Sequence, residues 1–188
     1  MGYSQTLENG LKISNFALFS SAADAIELCL FRDGKESRFA MSRTNDIWHV
    51  AIKGVELNDE YAFRITGKND RTLANPQKLM LDPYAKAVTH KPDLSSPEAR
   101  SIFLLNDERD NAAVAPKGRI VDESFDWSGD CKPSIRWAQT IVYELNVKGF
   151  SQLNSRIPEN IRGTYAALAH PENIAYFKSL GITSLELL

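Results

Sequence analysis

The sequence has no long apolar run, no strong net charge and no cluster of metal-binding residues. No stretch approaches the ~20 apolar residues that a membrane-spanning helix needs, so we expect no membrane partner. The formal net charge of −2 gives no basis for binding nucleic acid. The start of the chain lacks the basic and apolar regions of a signal peptide. These absences, with 43% apolar and 24% charged residues, predict a cytoplasmic globular protein.

Cysteine and histidine are scarce. Cys29 and Cys131 are far apart in sequence, and Cys29 falls in an apolar strand pattern, where cysteine acts as a small buried hydrophobe. Two thiols without metal-ligand spacing are typical of reduced cytoplasmic proteins, with a Cys29–Cys131 disulfide as the alternative. The three histidines are isolated from one another. The sequence therefore predicts no metal site and no cofactor.

The first third of the chain has the pattern of short strands separated by turns. Apolar and polar positions alternate in four segments, 11–19, 26–31, 48–52 and 61–65. Asn9-Gly10 and Asp33-Gly34 are hairpin-turn signals beside these segments. Several strands at this spacing predict an immunoglobulin-like β-sandwich.

The last third has a different pattern. Residues 141–147 predict a strand, and a long, mostly polar loop follows. Pro171 and Glu172 are typical of the first turn of a helix, and Gly181 is the expected stop. Residues 182–188 then predict a second strand, so the unit is strand–helix–strand with parallel strands.

These patterns predict a mostly β protein: an immunoglobulin-like sandwich followed by an incomplete β/α unit, the start of a TIM barrel. The predicted divisions are 1–90 for the sandwich, 91–139 for an irregular linker and 140–188 for the truncated start of a (β/α)8 barrel. Two parallel strands cannot close a barrel, so we expect a piece of a larger protein. Leu185, Leu187 and Leu188 are then expected to face water, which predicts self-association.

Several segments, in this order along the chain, resemble the glycogen-debranching and isoamylase-type enzymes of glycoside hydrolase family 13. Those similar to strands of a family-48-type carbohydrate-binding module are 15–21, 26–31, 47–49 and 61–64. Those similar to the module's exit, the pre-barrel linker and the first two barrel strands are 75–85, 125–127, 142–150, 162–165 and 180–188. There are two departures: Asn146 stands where the family often has His, and the segment 67–75 is shorter than in the family.

The resemblance implies the N-terminal portion of a glycogen debranching enzyme. The parent enzyme would hydrolyse α-1,6-glucosidic branch linkages in glycogen or limit dextrin by a retaining mechanism, with that α-glucan as its partner. In the family the catalytic carboxylates lie at barrel strands four, five and seven, so none can be assigned here. This chain alone is expected to be inactive, and Glu144, Glu186 and Asp82 are expected to be structural. The alternative is a stand-alone α-glucan-binding or scaffold module without catalysis.

Three aromatic residues, Trp48, Trp127 and Tyr165, are the candidate substrate-binding residues, because pyranose rings stack on flat apolar faces. Each has a structural alternative: Trp48 shares a strand face with Val50 and Ile52 and fits the core, whereas Trp127 and Tyr165 fit linker or loop packing. The acidic residues 107, 108 and 110 surround Arg109. We interpret them as a solvated loop face, with a calcium site as the alternative.

Overall fold

The computed structural model describes residues 1–67 and 74–188. The short segment 67–75 noted above lies largely outside the described residues. The chain forms two compact units, Met1–Phe125 and Asp126–Leu188. The first unit contains β1 (Gly2–Glu8), β2 (Leu11–Phe19), β3 (Ala25–Arg32), β4 (Lys35–Ala40), β5 (Ser42–Thr44), β6 (Ile47–Lys53), β7 (Glu60–Thr66), α1 (Pro97–Ser101) and β8 (Gly118–Arg119).

Two antiparallel sheets make up the first unit, in the orders β1-β2-β6-β5 and β4-β3-β7-β8. The hairpin turns occur where predicted: Asn9 and Gly10 have φ of 50° and 78°, and Asp33 and Gly34 have φ of 50° and 75°. Positive φ at both central residues matches the twist of the strands on either side. The mostly β, immunoglobulin-like architecture is thus confirmed.

The core lies between the inner faces of the two sheets. Alternation places Phe16 of β2 inside, with its ring centre 5.0 Å from that of Tyr61 and 5.3 Å from that of Tyr3. The other buried members of this cluster are Leu18, Ala23, Ile26, Leu28, Leu30, Met41, Trp48, Val55, Phe63 and Ile120. Apolar residues at every second position therefore face one another across the sandwich, as the sequence pattern predicts.

The outer face of the second sheet is also covered. Cys29, Phe31 and Ala62 point away from the main core and pack against Leu79 and Ala115. The chain between residues 74 and 120, which we call the covering segment, therefore packs on this sheet. The compact first unit continues to Phe125, beyond residue 90.

The covering segment ends in β8, where a glycine is required. Gly118 pairs with Tyr61 in the register of β7 and β8. A Cβ atom at Gly118 would lie 2.7 Å from Cε1 of Tyr61 and 3.2 Å from Cβ of Ala85. Real Cβ atoms do not approach ring atoms this closely, so only glycine lets the segment return against the sheet.

The second unit contains β9 (Val142–Leu145), α2 (Val147–Ser151), α3 (Tyr165–Leu168), α4 (Pro171–Ser179) and β10 (Ser184–Leu187), with short 3₁₀ turns at Trp137–Gln139 and Glu159–Ile161. β9 and β10 are parallel, as predicted from their connection. Phe177 of α4 packs with Leu145, Val147 and Leu168. No helix in the described part of the chain is long and apolar enough to cross a membrane.

The ends of α4 confirm the sequence signals. Nδ1 of His170 accepts a hydrogen bond from the backbone N–H of Glu172 at 3.3 Å. At the other end, Gly181 has a φ of 72°, and the N–H of Ile182 donates to the carbonyl oxygen of Phe177 at 3.1 Å. This left-handed stop returns the chain directly into the segment that leads to β10.

The strand predicted at 141–147 is too long. β9 ends at Leu145 because Oδ1 of Asn146 accepts a hydrogen bond from the N–H of Gly149 at 2.8 Å and so caps α2. The residue that departs from the family pattern therefore begins a helix. The second predicted strand, 182–188, is likewise limited to Ser184–Leu187.

Candidate functional site

The three aromatic candidates lie in different surroundings. Trp48 is only 5% exposed, its Nε1 donates to the carbonyl oxygen of Ser20 at 3.1 Å, and the guanidinium carbon of Arg43 lies 5.5 Å from its ring centre. Trp127 and Tyr165 belong to the second unit and are 67% and 69% exposed. A sugar needs an open ring face. Trp48 therefore fits the core alternative, whereas the other two keep the exposure that a sugar platform requires.

A buried ion-pair network closes the outer face of the second sheet. Arg64 is 1% exposed. Its guanidinium donates to Oε1 of Glu36 at 3.0 Å, to the carbonyl oxygen of Pro76 at 3.0 Å and to Oδ2 of Asp110 at 2.8 Å. Burial lowers the pKa of Arg64, but the hydrogen bonds to the two carboxylates raise it by more, so the group stays charged. This charge holds the covering segment against the sheet.

The acidic cluster around Arg109 is part of the same packing. Both oxygens of Asp107 accept from Nε of Arg109 at 3.0 Å, and this pairing holds the pKa of Asp107 far below its usual range. The buried Nζ of Lys78 lies 3.5 Å from Oδ1 of Asp107, and Asp110 binds Arg64. Within residues 1–67 and 74–188 no group of three or more potential ligands is placed to hold a metal ion. These pairs favour an ion-pair role over the calcium alternative.

Both cysteines are free thiols. Cys29 is buried, and burial, together with a hydrogen bond to Glu36, raises its pKa to about 12. Its thiol is therefore protonated and unreactive at neutral pH. Cys131 is exposed.

The strand carboxylates do not have the geometry of a glycosidase pair. Glu144 of β9 and Glu186 of β10 are register partners on adjacent parallel strands, so their side chains project from the same side of the sheet. Adjacent strands lie about 4.8 Å apart, which leaves no room for a sugar ring between them. A retaining hydrolase needs its two carboxyl groups on opposite sides of the anomeric carbon. This arrangement is in keeping with the expected structural role of both residues.

Asp82 is a buried structural carboxylate at a turn. It accepts from the hydroxyl of Tyr61 through Oδ2 at 2.8 Å and from the backbone N–H of Tyr84 through Oδ1 at 2.8 Å. Both oxygens are thus engaged in fixing the chain where it leaves the sheet.

The sequence analysis did not identify the two clefts beside the loop between β6 and β7. One is about 690 Å³ and the other about 580 Å³. Both are lined in part by Glu56 and Leu57 of that loop. The sequence indicates this region only through the mostly polar residues Glu56-Leu57-Asn58-Asp59-Glu60, which are typical of an ordinary turn.

Comparison with known proteins shows what the first unit resembles. Residues 1–85 match the family described as carbohydrate-binding module 48, the isoamylase N-terminal domain. Pullulanase type I from Bacillus subtilis, solved with maltose, superposes over the whole chain with a TM-score of 0.69 at 23% identity, and 23% of that enzyme is covered. At this identity the likeness shows a shared fold. The first unit is thus similar in sequence to the isoamylase N-terminal domain.

Curated relatives extend the similarity through both units. The chain is 60% identical over 189 aligned residues to the glycogen operon protein GlgX homolog of Haemophilus influenzae, covering 100% of this chain and 28% of that protein. It is 47% identical to the glycogen debranching enzyme of Klebsiella pneumoniae, covering 93% and 27%. The chain therefore spans about a quarter of the length of these relatives.

Residues 1–85 match the family model of carbohydrate-binding module 48. The chain as a whole is similar to the N-terminal part of isoamylase-type glycogen debranching enzymes, and the resemblance stated from the sequence is confirmed.

Proposed function

We propose that the chain is the N-terminal portion of a glycogen debranching enzyme that hydrolyses α-1,6-glucosidic branch linkages of glycogen or limit dextrin by a retaining mechanism. In this proposal residues 1–90 are the carbohydrate-binding-type module and residues 140–188 are the start of the catalytic barrel. Residues 91–139 link the two, and the first part of this linker packs on the second sheet of the module. The main support is the 60% identity that runs through the β/α unit as well as the module. A stand-alone binding or scaffold module would have no use for that unit.

The catalytic carboxylates of the proposed enzyme lie outside this chain, so its own contribution is structural support and substrate contact. Trp127 and Tyr165 are the proposed contacts to the α-glucan partner, because both are exposed aromatics in the unit that begins the barrel. We place the protein in the cytoplasm, because its two free thiols suit a reducing compartment.

Hydrolysis of glycogen β-limit dextrin tests the proposal. We expect no release of reducing ends by the purified 188-residue chain and clear release by the protein extended through a full barrel. Linear amylose, which has no α-1,6 linkages, is the control substrate and should stay intact with both. Activity of the short chain would contradict the placement of the carboxylates, and inactivity of the extended protein would favour the scaffold alternative.

We also propose that the 188-residue chain self-associates through the open β9–β10 sheet. The exposed apolar residues of this sheet are Val142, Leu185 and Leu187. An apolar edge strand with unpaired backbone groups is a template for pairing with a second copy.

We expect the mean sedimentation coefficient to rise with protein concentration, and the double variant Leu185→Lys, Leu187→Lys to remain monomeric. Leu153→Lys is the matched control, because Leu153 is exposed in the same unit but lies outside the sheet. A monodisperse monomer of the unaltered chain at high concentration would rule the proposal out.

A further inference from the structure

The loop between β6 and β7 forms a ridge, residues 55–59, between two clefts of the first unit. The larger cleft, about 690 Å³, lies between the ridge, the β3–β4 turn and residues 112–117. The smaller, about 580 Å³, lies between the ridge, β1 and residues 120–123. Both volumes fall within the range of about 300–1,000 Å³ that ligand sites occupy. Because the two clefts share the ridge, an extended ligand crossing it would contact both.

The ridge is held rigidly. The N–H of Asn58 donates to the carbonyl oxygen of Ile120 at 2.8 Å, and the N–H of Ile120 donates to the carbonyl oxygen of Asp59 at 2.9 Å. The buried carboxylate of Asp59 accepts from Nε of Arg32 and from the N–H of Glu56, both at 2.8 Å. The hydrogen bond from Arg32 keeps the pKa of Asp59 below its usual value, so these bonds persist at neutral pH. A ridge fixed before binding loses little conformational entropy when a ligand arrives.

The ridge carries one exposed apolar side chain, Leu57, between two exposed polar ones, Glu56 and Asn58. Leu57 is 59% exposed and offers an apolar contact to the C–H face of a sugar. In the larger cleft Lys117 is buried with its Nζ 4.8 Å from the ring centre of Phe31 and 3.3 Å from the carbonyl oxygen of Ala115. An ammonium group has three donors, so Lys117 retains hydrogen-bonding capacity beyond this carbonyl.

Both clefts are lined by donors and by acceptors. The larger holds Arg32, Asn58 and Lys117 beside Asp33 and Glu60. The smaller holds Gln5 and Lys12 beside Asp122 and Glu123. Such a mixture suits a neutral polyhydroxyl ligand, because each hydroxyl both donates and accepts, whereas a simple anion or cation would meet charges of its own sign.

We infer that the ridge of residues 55–59 and its two clefts bind a linear segment of α-glucan, with glucose units on both sides of Leu57. The ligand class rests on the proposed function, and the position of the site rests on the ridge. Trp48 offers no ring face because it is buried. The covering segment packs on the outer face of the second sheet, and the larger cleft lies where that face, at Phe31 and Glu36, meets the segment. The lining residues of both clefts all belong to the first unit, whereas Trp127 and Tyr165 belong to the second.

Titration of the isotope-labelled 188-residue chain with maltoheptaose, followed by backbone amide NMR, tests the inference. We expect shifts at residues 56–58, 33–34 and 112–113, and at least a tenfold weaker affinity for Leu57→Asp. Leu104→Asp is the matched control, because Leu104 is similarly exposed, at 54%, in the same unit but outside both clefts, and it should leave affinity unchanged. An unaltered spectrum away from residue 57 would show that Leu57→Asp is folded.

Three results would overturn the inference: shifts confined to the outer face of the first sheet around Phe19 and His49, no shifts at millimolar maltoheptaose, or unchanged affinity of Leu57→Asp. None of them bears on hydrolysis of β-limit dextrin by the extended protein. The inference and the proposed function therefore fail independently.

Discussion

Replacing Phe16 by alanine should lower the free energy of unfolding of the first unit by about 3–5 kcal/mol. Phe16 is fully buried at the centre of the sandwich, with aromatic contacts to Tyr3 and Tyr61. Removing the ring leaves a cavity that two rigid sheets cannot collapse to fill. Urea unfolding measured by the amide resonances of the first unit is the suitable assay, because tryptophan is present in both units.

Phe19→Ala is the matched control. Phe19 lies on the same strand but on its outer face, where it is 55% exposed. Its replacement should change the free energy of unfolding by no more than about 0.5 kcal/mol. Similar losses for the two variants would mean that the strand register, and with it the assignment of inner and outer faces, is incorrect.

Replacing Arg64 by alanine should lower the free energy of unfolding by about 3 kcal/mol. The loss arises because the carboxylates of Glu36 and Asp110 and the carbonyl oxygen of Pro76 lose their common partner. Asp110 is partly exposed, so water can solvate its carboxylate once Arg64 is removed. The loss of free energy of unfolding should therefore lie at the lower end of the range for a broken buried ion pair. The same urea experiment measures it, and amides of residues 76–80 should lose hydrogen-exchange protection first.

Arg38→Ala is the control that shows whether the stabilisation depends on the burial of the arginine or only on its charge. Arg38 also binds Oε1 of Glu36, at 2.6 Å, but it is an exposed partner. Its removal should therefore cost less than about 1 kcal/mol. If Arg38→Ala proved as destabilising as Arg64→Ala, the stabilisation would come from the charge of Glu36 rather than from the buried guanidinium.

Local patterns were sufficient to predict the sandwich. Alternation in β2 places Phe16 inside and Phe19 outside, and Asn-Gly and Asp-Gly dictate positive φ at the hairpin turns. Both signals involve residues close in sequence, so they need no knowledge of the rest of the fold. The parallel pairing of β9 and β10 was likewise predictable from the short return after α4.

Long-range packing was not predictable in the same way. Arg64 appears in the sequence as the polar position of an alternating strand, yet it is buried because Asp110, far along the chain, binds it. Lys78 is buried for the same reason, with its Nζ donating to the carbonyl oxygen of Arg109 at 2.6 Å. The ridge with Leu57 was missed because its clefts are formed by chain segments that are distant in sequence.

Because of the covering segment, the family match and the compact first unit end at different residues. The family match ends at residue 85, but Ala115, which shields Cys29, Phe31 and Ala62, comes 30 residues later. Residues 1–85 alone would expose that apolar patch and leave the guanidinium of Arg64 without Asp110. A fragment meant to keep the fold of the first unit should therefore extend to Phe125, where the compact unit ends, and not stop at the end of the family match.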